Sequence, residues 1–208
     1  MKVYGHPLST CTRKVLMTLA ETRQRADFSV VDLFSGEQKT PAHLNRHPFG
    51  VIPVLDDDGF VLWESRAIIR YLDARTAAPV LTPRAPRELA RMDQWLSVDQ
   101  SYVAPHTRAL ASERIVKAHL GQAPDPAIER AAEVALMTAF EVIDRTLASA
   151  PYLTGEVFSL ADISLMPYVA SLPMLNAQHL LAERRHLTAW WTRVSARSAW
   201  QQAIDSAG

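Results

Sequence analysis

The apolar positions of this chain change their period part-way along it. Up to about residue 76, short apolar runs alternate with helical patterns. Lys2–Tyr4 reads as a strand, and Cys11–Thr22 as a helix with Val15, Leu16, Leu19 and Ala20 on one face. Phe28–Leu33 is a second strand. Val51–Leu55 and Phe60–Trp63 flank Asp56-Asp57-Asp58-Gly59, which reads as a hairpin turn. A further helix opens near Ser65 and carries Ile68, Ile69 and Leu72. The order βαβ, an undefined segment, then ββα predicts a small mixed sheet flanked by helices.

Residues 78–86 hold three prolines, which cannot continue a helix, so they are expected to be a linker between a domain at 1–77 and another at 87–208. Beyond them no strand pattern remains. Leu89, Met92, Leu96, Tyr102, Val103, His106 and Leu110 predict one long helix or two abutting ones over Glu88–Leu120. Ile128, Ala132, Ala135, Ala139, Ile143 and Leu147 recur every three or four residues, as on an amphipathic helix. Ser159-Leu160-Ala161-Asp162 resembles a capping box with Asp in place of Glu, and Pro167 is expected to kink the helix that follows. Leu187, Trp190, Trp191 and Val194 mark a last helical stretch.

Composition narrows the function. The 22 Lys and Arg balance 22 Asp and Glu, and both parts share in that balance: 10 basic against 9 acidic residues over 1–76, 12 against 13 beyond. Neither part carries the basic footprint of a nucleic-acid binder. No window approaches 18 consecutive apolar residues, and Met1–Pro7 lacks the apolar core of a signal peptide, so a cytoplasmic protein is expected. The single cysteine, Cys11, forms no internal disulfide. No glycine-rich phosphate loop occurs, and no metal site is expected. Asp56, Asp57 and Asp58 are read as a solvated turn.

Chemistry is best supported where the first strand meets the first helix, over Gly5–Arg13. A hydroxyl there lies among unpaired backbone N–H groups at the positive end of a helix dipole, which suits an anion such as a thiolate brought by a ligand. Ser9 or Thr10 is either a simple N-cap or a donor to that anion. Cys11 is either a reactive thiol or a small apolar residue on the inner face. Pro53 implies an edge strand or a cis Ile52-Pro53 bond, which leaves Ile52 to offer its N–H and C=O to a ligand. Ser65 either caps its helix or, with Glu64, holds a ligand carboxylate.

Four stretches carry a family resemblance: Lys2–Leu16, Asn45–Leu55 with its His47-Pro48-Phe49-Gly50-Val51-Ile52-Pro53, Glu64–Leu72 with its Glu64-Ser65-Arg66-Ala67-Ile68, and Ser159–Ile163. In this order and at these separations the chain resembles the cytosolic glutathione transferases over its whole length, most closely the phi class and its bacterial relatives. The resemblance implies a thioredoxin-like βαβαββα domain (class α/β) followed by an all-α helical-bundle domain.

It also implies roles. Ser9 matches a catalytic serine that donates to the glutathione sulfur. Pro53 matches a cis-proline, with Ile52 pairing through its backbone to the cysteinyl part. Glu64 and Ser65 match residues at the γ-glutamyl end, and Lys39 a basic residue near the glycyl carboxylate. Gln38 stands where the subgroup has His, and Val51 where it has Gln, so weaker glutathione binding is expected. Ser159 and Asp162 match a helix-capping motif. Leu8 and Leu33, with Tyr102 and His106, are the expected lining of a hydrophobic substrate pocket, although His106 also reads as a packing residue. Glutathione is expected as co-substrate with no other cofactor, small hydrophobic electrophiles or peroxides as the second substrate, and a homodimer with Phe49 and the Ser65 helix near its interface. The pair Ser9 and Cys11 is also similar to the zeta class, which implies an isomerase as the alternative. A cysteine in this region is similar to the beta class, although Cys11 falls one position late for it. A non-catalytic binding protein on the same fold is the third reading.

Overall fold

The computed structural model describes residues 1–78 and 80–205. The chain divides into two compact units: Met1–Thr82 together with the segment from Ser195 onward, and Pro83–Val194.

In the first unit, β1 (Lys2–Gly5) leads into α1 (Thr10–Glu21) and then β2 (Asp27–Val30). A 3₁₀ turn (Glu37–Lys39) and the short α2 (Pro41–Leu44) follow, then β3 (Val54–Asp57), β4 (Phe60–Trp63) and α3 (Ser65–Ala74). The sheet runs β2-β1-β3-β4, parallel between β1 and β2 and antiparallel elsewhere. This is the thioredoxin-like mixed sheet, although the second strand is shorter than Phe28–Leu33 and begins one residue earlier. The hairpin is tighter than expected. Asp56 and Asp57 belong to β3, and only Asp58 and Gly59, both with positive φ, make the turn. Asp-Gly suits such a two-residue turn because glycine tolerates left-handed backbone without penalty. Asp57 accepts from Tyr71 Oη at 2.5 Å and pairs with Arg75 Nε at 3.1 Å. These aspartates are structural.

Helix α1 is buried on more than one face: Val15, Leu16 and Leu19 as expected, and Met17, Lys14 and Thr18 as well. It packs against α3 and also against a C-terminal helix, Ser198–Asp205, whose Ala199, Trp200 and Ala203 are buried. Arg197 clamps Glu21 through two bonds of 2.6 and 2.9 Å. The second domain expected at 87–208 is therefore too long, because its last helix belongs to the first unit. Amphipathic spacing shows that a helix has an inner face, but not which core covers it.

The expected linker at 78–86 includes Pro79, which lies outside the described residues. Next to it, the buried Asp73 carboxylate accepts from the N–H groups of Val80 and Leu81 at 3.1 and 3.2 Å, and a helix already begins at Pro86.

The second unit is helical; among the described residues its β pairing is the isolated bridge between Tyr152 and Gly155. Helices α4 (Pro86–Val98), α5 (Ala104–Ala111) and α6 (Lys117–His119) are joined by π turns at Asp99–Val103 and Ser112–Val116. Helix α7 (Pro126–Leu147) is capped by Asp125 and buries Ala132, Leu136, Ala139, Phe140, Ile143 and Leu147, while Ile128 is exposed. Helix α8 (Leu160–Ser171) is buried along nearly its whole length and accommodates Pro167, and α9 (Arg185–Ser195) buries Leu187, Trp190 and Val194. No helix among the described residues is long and apolar enough to cross a membrane.

The start of α8 is closed on itself. The Ser159 side chain accepts from the first turn, and Asp162 accepts from Ser159 N at 3.0 Å, a reciprocal capping box. Asp162 also accepts from Leu153 N at 3.1 Å and Trp190 Nε1 at 2.9 Å. Burial pushes its carboxyl up to about 6 against these hydrogen bonds, which act the other way.

Candidate active site

The strand register assembles the site at one end of the sheet. Tyr4 pairs with Val54, and Val54 with Trp63. One residue beyond these pairs the three strands lead to Gly5, Pro53 and Glu64, which therefore lie at the same end of the sheet. Three loops therefore meet there: His6–Ser9 after β1, the segment up to Ile52-Pro53 before β3, and Glu64-Ser65 before α3. A Cβ on Gly5 would lie 2.6 Å from Thr12, so glycine lets α1 approach the end of β1 closely.

Ser9 is the N-cap of α1, half-buried, with its Oγ accepting from Thr12 N at 3.3 Å. That bond uses a lone pair and leaves the hydroxyl proton, which no acceptor among the described residues takes. The first-turn N–H groups of Thr10 and Cys11 likewise donate to nothing among the described residues. Arg13, one turn on, holds the loop by donating from Nε to Pro7 O at 2.8 Å. Its guanidinium pKa is lowered by burial. Cys11 is half-buried as the second residue of the helix.

The bond between Ile52 and Pro53 is cis, and Pro53 precedes β3 rather than lying inside it. Ile52 is half-buried, and among the described residues neither its N–H nor its C=O has a hydrogen-bond partner. The preceding loop is held from the 3₁₀ turn and α2. Lys39 Nζ donates to Phe49 O at 3.1 Å, and His43 Nε2 bonds Val51 O at 2.8 Å. Gly50 has a φ of +59°, and a Cβ there would meet Gln38 O at 2.8 Å. The Gln38 side chain donates to Leu33 O at 3.4 Å, and its Oε1 is buried without a partner. Val51 has an exposed side chain.

The N-cap of α3 is Glu64, not Ser65. Glu64 has a φ of 70°, a region costly for a side chain of this size, and its side chain makes no capping bond. Ser65 is the first helical residue, and its Oγ is buried with no partner. Left-handed backbone at a glutamate leaves no trace in residue order, which is why Ser65 reads as the cap from sequence.

The expected pocket residues lie in different units. Leu8 (52% exposed) and half-buried Leu33 belong to the first, and Tyr102 (61% exposed) and half-buried His106 to the second. A surface recess of about 550 Å³ lined by Leu16, Gln24, Phe28 and Ala203 opens at the Met1 end of β1 and shares no residue with the site.

Sequence reasoning missed His43 and His47, both buried. They stand four residues apart, a spacing that can hold a metal. Yet the His43 Nε2 is taken by Val51 O, and no group of three or more His, Cys, Asp or Glu among the described residues is placed for an ion. His47 packs 5.1 Å from the Trp63 ring, and burial lowers its pKa, with the Glu64 charge acting against that.

The models of the glutathione S-transferase N-terminal and C-terminal domains match residues 8–75 and 104–198. "Glutathione S-transferase F10" of Arabidopsis thaliana is 33% identical over 94% of this chain and 93% of its own length. The chain belongs to the glutathione S-transferase family. The structure of glutathione transferase F7 from Populus trichocarpa superposes with a TM-score of 0.91 at 33% identity, covering 100% of this member of the family and 99% of the poplar chain. Glutathione S-transferase I from mais, solved in complex with an atrazine glutathione conjugate, gives a TM-score of 0.89 at 26% identity over 99% and 97%.

Proposed function

We propose that this chain is a phi-like glutathione transferase in which the Ser9 hydroxyl stabilises the thiolate of bound glutathione for attack on small hydrophobic electrophiles. The observation that carries the reading is the uncommitted Ser9 proton at the open N-terminus of α1, which follows β1 at the end of the sheet where Pro53 and Glu64 also lie. The atrazine glutathione conjugate held by the maize relative supports conjugation as the reaction. The relatives described above are plant proteins and lend nothing to the bacterial origin expected for the subgroup.

The energetics suffice. A thiol of pKa ~8.5 is about 3% ionised at pH 7, and lowering it by ~2 units requires roughly 2.7 kcal/mol. A hydrogen bond to a charged group contributes about 1.5–3 kcal/mol and a helix N-terminus about 0.3–1 kcal/mol. Ser9 donates and is never deprotonated. The same thiolate reduces a peroxide when one occupies the electrophile's place: its sulfur attacks the distal oxygen, the O–O bond breaks, the alkoxide leaves and is protonated to the alcohol, and the sulfenic acid formed condenses with a second glutathione thiol to give the disulfide and water.

Glutathione lies along the three loops in this reading. Ile52 offers its free N–H and C=O to the cysteinyl unit. The unpartnered Ser65 hydroxyl and Glu64 take the γ-glutamyl end. Lys39, beside Gln38, keeps two ammonium protons for the glycyl carboxylate after donating to Phe49 O. Val51 contributes backbone only. Leu8 and Leu33 offer the first unit's apolar side chains to the electrophile, and no cofactor beyond glutathione is required. Phe49, 67% exposed beside Trp63, supports a homodimer contact at the first unit; a monomer by sedimentation would overturn that part. The balanced charge fits a cytoplasmic enzyme.

The test is conjugation turnover and the pKa of bound glutathione, by thiolate absorbance, in wild type and Ser9→Ala. The pKa is expected to rise and turnover to fall much more than binding. Unchanged values would move the role to Thr10, Cys11 or the backbone donors.

A further inference from the structure

His43 is buried, and its ring has one bond that reaches toward the site: Nε2 to the carbonyl of Val51, at 2.8 Å. That carbonyl and the N–H of Ile52 belong to the same peptide unit. The unit is planar, and the cis bond in this loop is the following one, Ile52-Pro53. In a trans peptide the C=O and the N–H point in opposite directions. Drawing the carbonyl toward α2 therefore turns the Ile52 N–H away from α2, where it has no partner among the described residues. A half-buried backbone donor with no partner is a group prepared for one.

Other features confirm that this loop is held rather than merely packed. Its neighbouring carbonyls are taken as well, Phe49 O by Lys39 Nζ and His47 O by Gly50 N at 2.8 Å. The left-handed Gly50 brings the chain close to the Gln38 carbonyl. Val51 has an aliphatic side chain, and its own N–H makes no hydrogen bond among the described residues, so its carbonyl is what fixes the peptide by hydrogen bonding.

We infer that His43 is a positioning residue for the cysteinyl subsite: through the Val51 carbonyl it sets the direction of the Ile52 N–H that reads the backbone of glutathione. The inference rests on the glutathione-transferase reading above. It assigns His43 to affinity for the peptide and leaves ionisation of the sulfur to Ser9.

Calorimetry with glutathione and with S-methylglutathione, on wild type, His43→Leu and His43→Gln, tests it. S-Methylglutathione keeps the cysteinyl backbone but has no ionisable thiol. Losing one oriented hydrogen bond is expected to weaken both ligands about tenfold in His43→Leu, by a similar factor for each. His43→Gln, which can present an N–H at nearly the same reach, is expected to restore binding to within about threefold of wild type. The pKa of bound glutathione is expected to stay at its wild-type value in both variants, and KM for glutathione to rise with kcat lowered no more than about twofold. Equal affinity of wild type and His43→Leu would overturn the role of His43 while leaving the enzyme reading intact, as would equal weakening in both variants. Failure of wild type itself to bind either ligand would overturn the enzyme reading and this inference together.

Discussion

Two helices of this protein begin with the same residue type and end up with opposite characters. At α8, Ser159 is buried and followed at the third helical position by Asp162, so cap and partner satisfy each other. At α1, Ser9 is half-buried and followed at that position by Thr12, with no acidic residue in the first turn. Thr12 gives its N–H to Ser9 and returns nothing to it. In the first arrangement the cap N–H, the cap hydroxyl and the carboxylate are all engaged with the fold. The second leaves a hydroxyl proton and two backbone N–H groups for something that arrives from outside. What separates a closed serine cap from an open one here is the residue three places later and the depth of burial.

The contrast can be broken most severely at α8. Asp162→Ala leaves the buried N–H groups of Leu153 and Ser159 and the Trp190 indole without their acceptor. A loss of about 4 kcal/mol is expected in urea unfolding of the whole chain, since each orphaned buried donor costs about 1–3 kcal/mol. A loss under about 1 kcal/mol would show that the box is not the keystone of the second unit.

The same carboxylate predicts a pH dependence. Its folded pKa of about 6 lies above the unfolded value, so the protonated form is favoured by folding. Its contribution is fully present below about pH 4 and is lost as pH rises through 6, up to about 3 kcal/mol in all. The stability difference between wild type and Asp162→Asn is expected to shift against wild type by that amount between pH 4 and pH 7. A difference independent of pH would mean that the hydrogen bonds, not burial, set the ionisation.

At α1 the effect moves from stability to turnover. Ser9→Ala is expected to lower kcat about 10–100-fold while costing about 1 kcal/mol of stability for the lost cap. Ser9→Gly sharpens this further. Glycine caps nearly as well, so stability is expected to change by only a few tenths of a kcal/mol. The loss of turnover should match that of Ser9→Ala. If glycine restored activity, the cap and not the hydroxyl would be the functional element.

Much of this was legible in residue order. A hairpin turn at the end of the aspartate run, much of the inner face of α1 and the capping box of α8 follow from local chemistry, because each depends on neighbours a few places away. The mixed sheet flanked by helices and the helical second unit agree with the fold the family resemblance implies. What escaped the sequence is what depends on distant partners. The left-handed Glu64 is imposed by the strand before it and the helix after it. The hold of His43 on Val51 spans eight residues and joins a side chain to a backbone atom, which no residue pattern records. The allegiance of Ser198–Asp205 was lost for the same reason: its Ala199, Trp200 and Ala203 announce an apolar stripe, and only the fold says which apolar stripe meets it.

That last helix has a consequence for biosynthesis. Part of the surface of the helix that carries Ser9 is covered by residues made nearly two hundred positions later, fastened by Arg197 on Glu21. On the ribosome, the N-terminal module therefore emerges long before its own last piece, and it waits with Leu16 and Leu19 less protected while the helical unit is translated. Cutting the gene at the interdomain segment would not release an independent half-enzyme, but one with a missing wall.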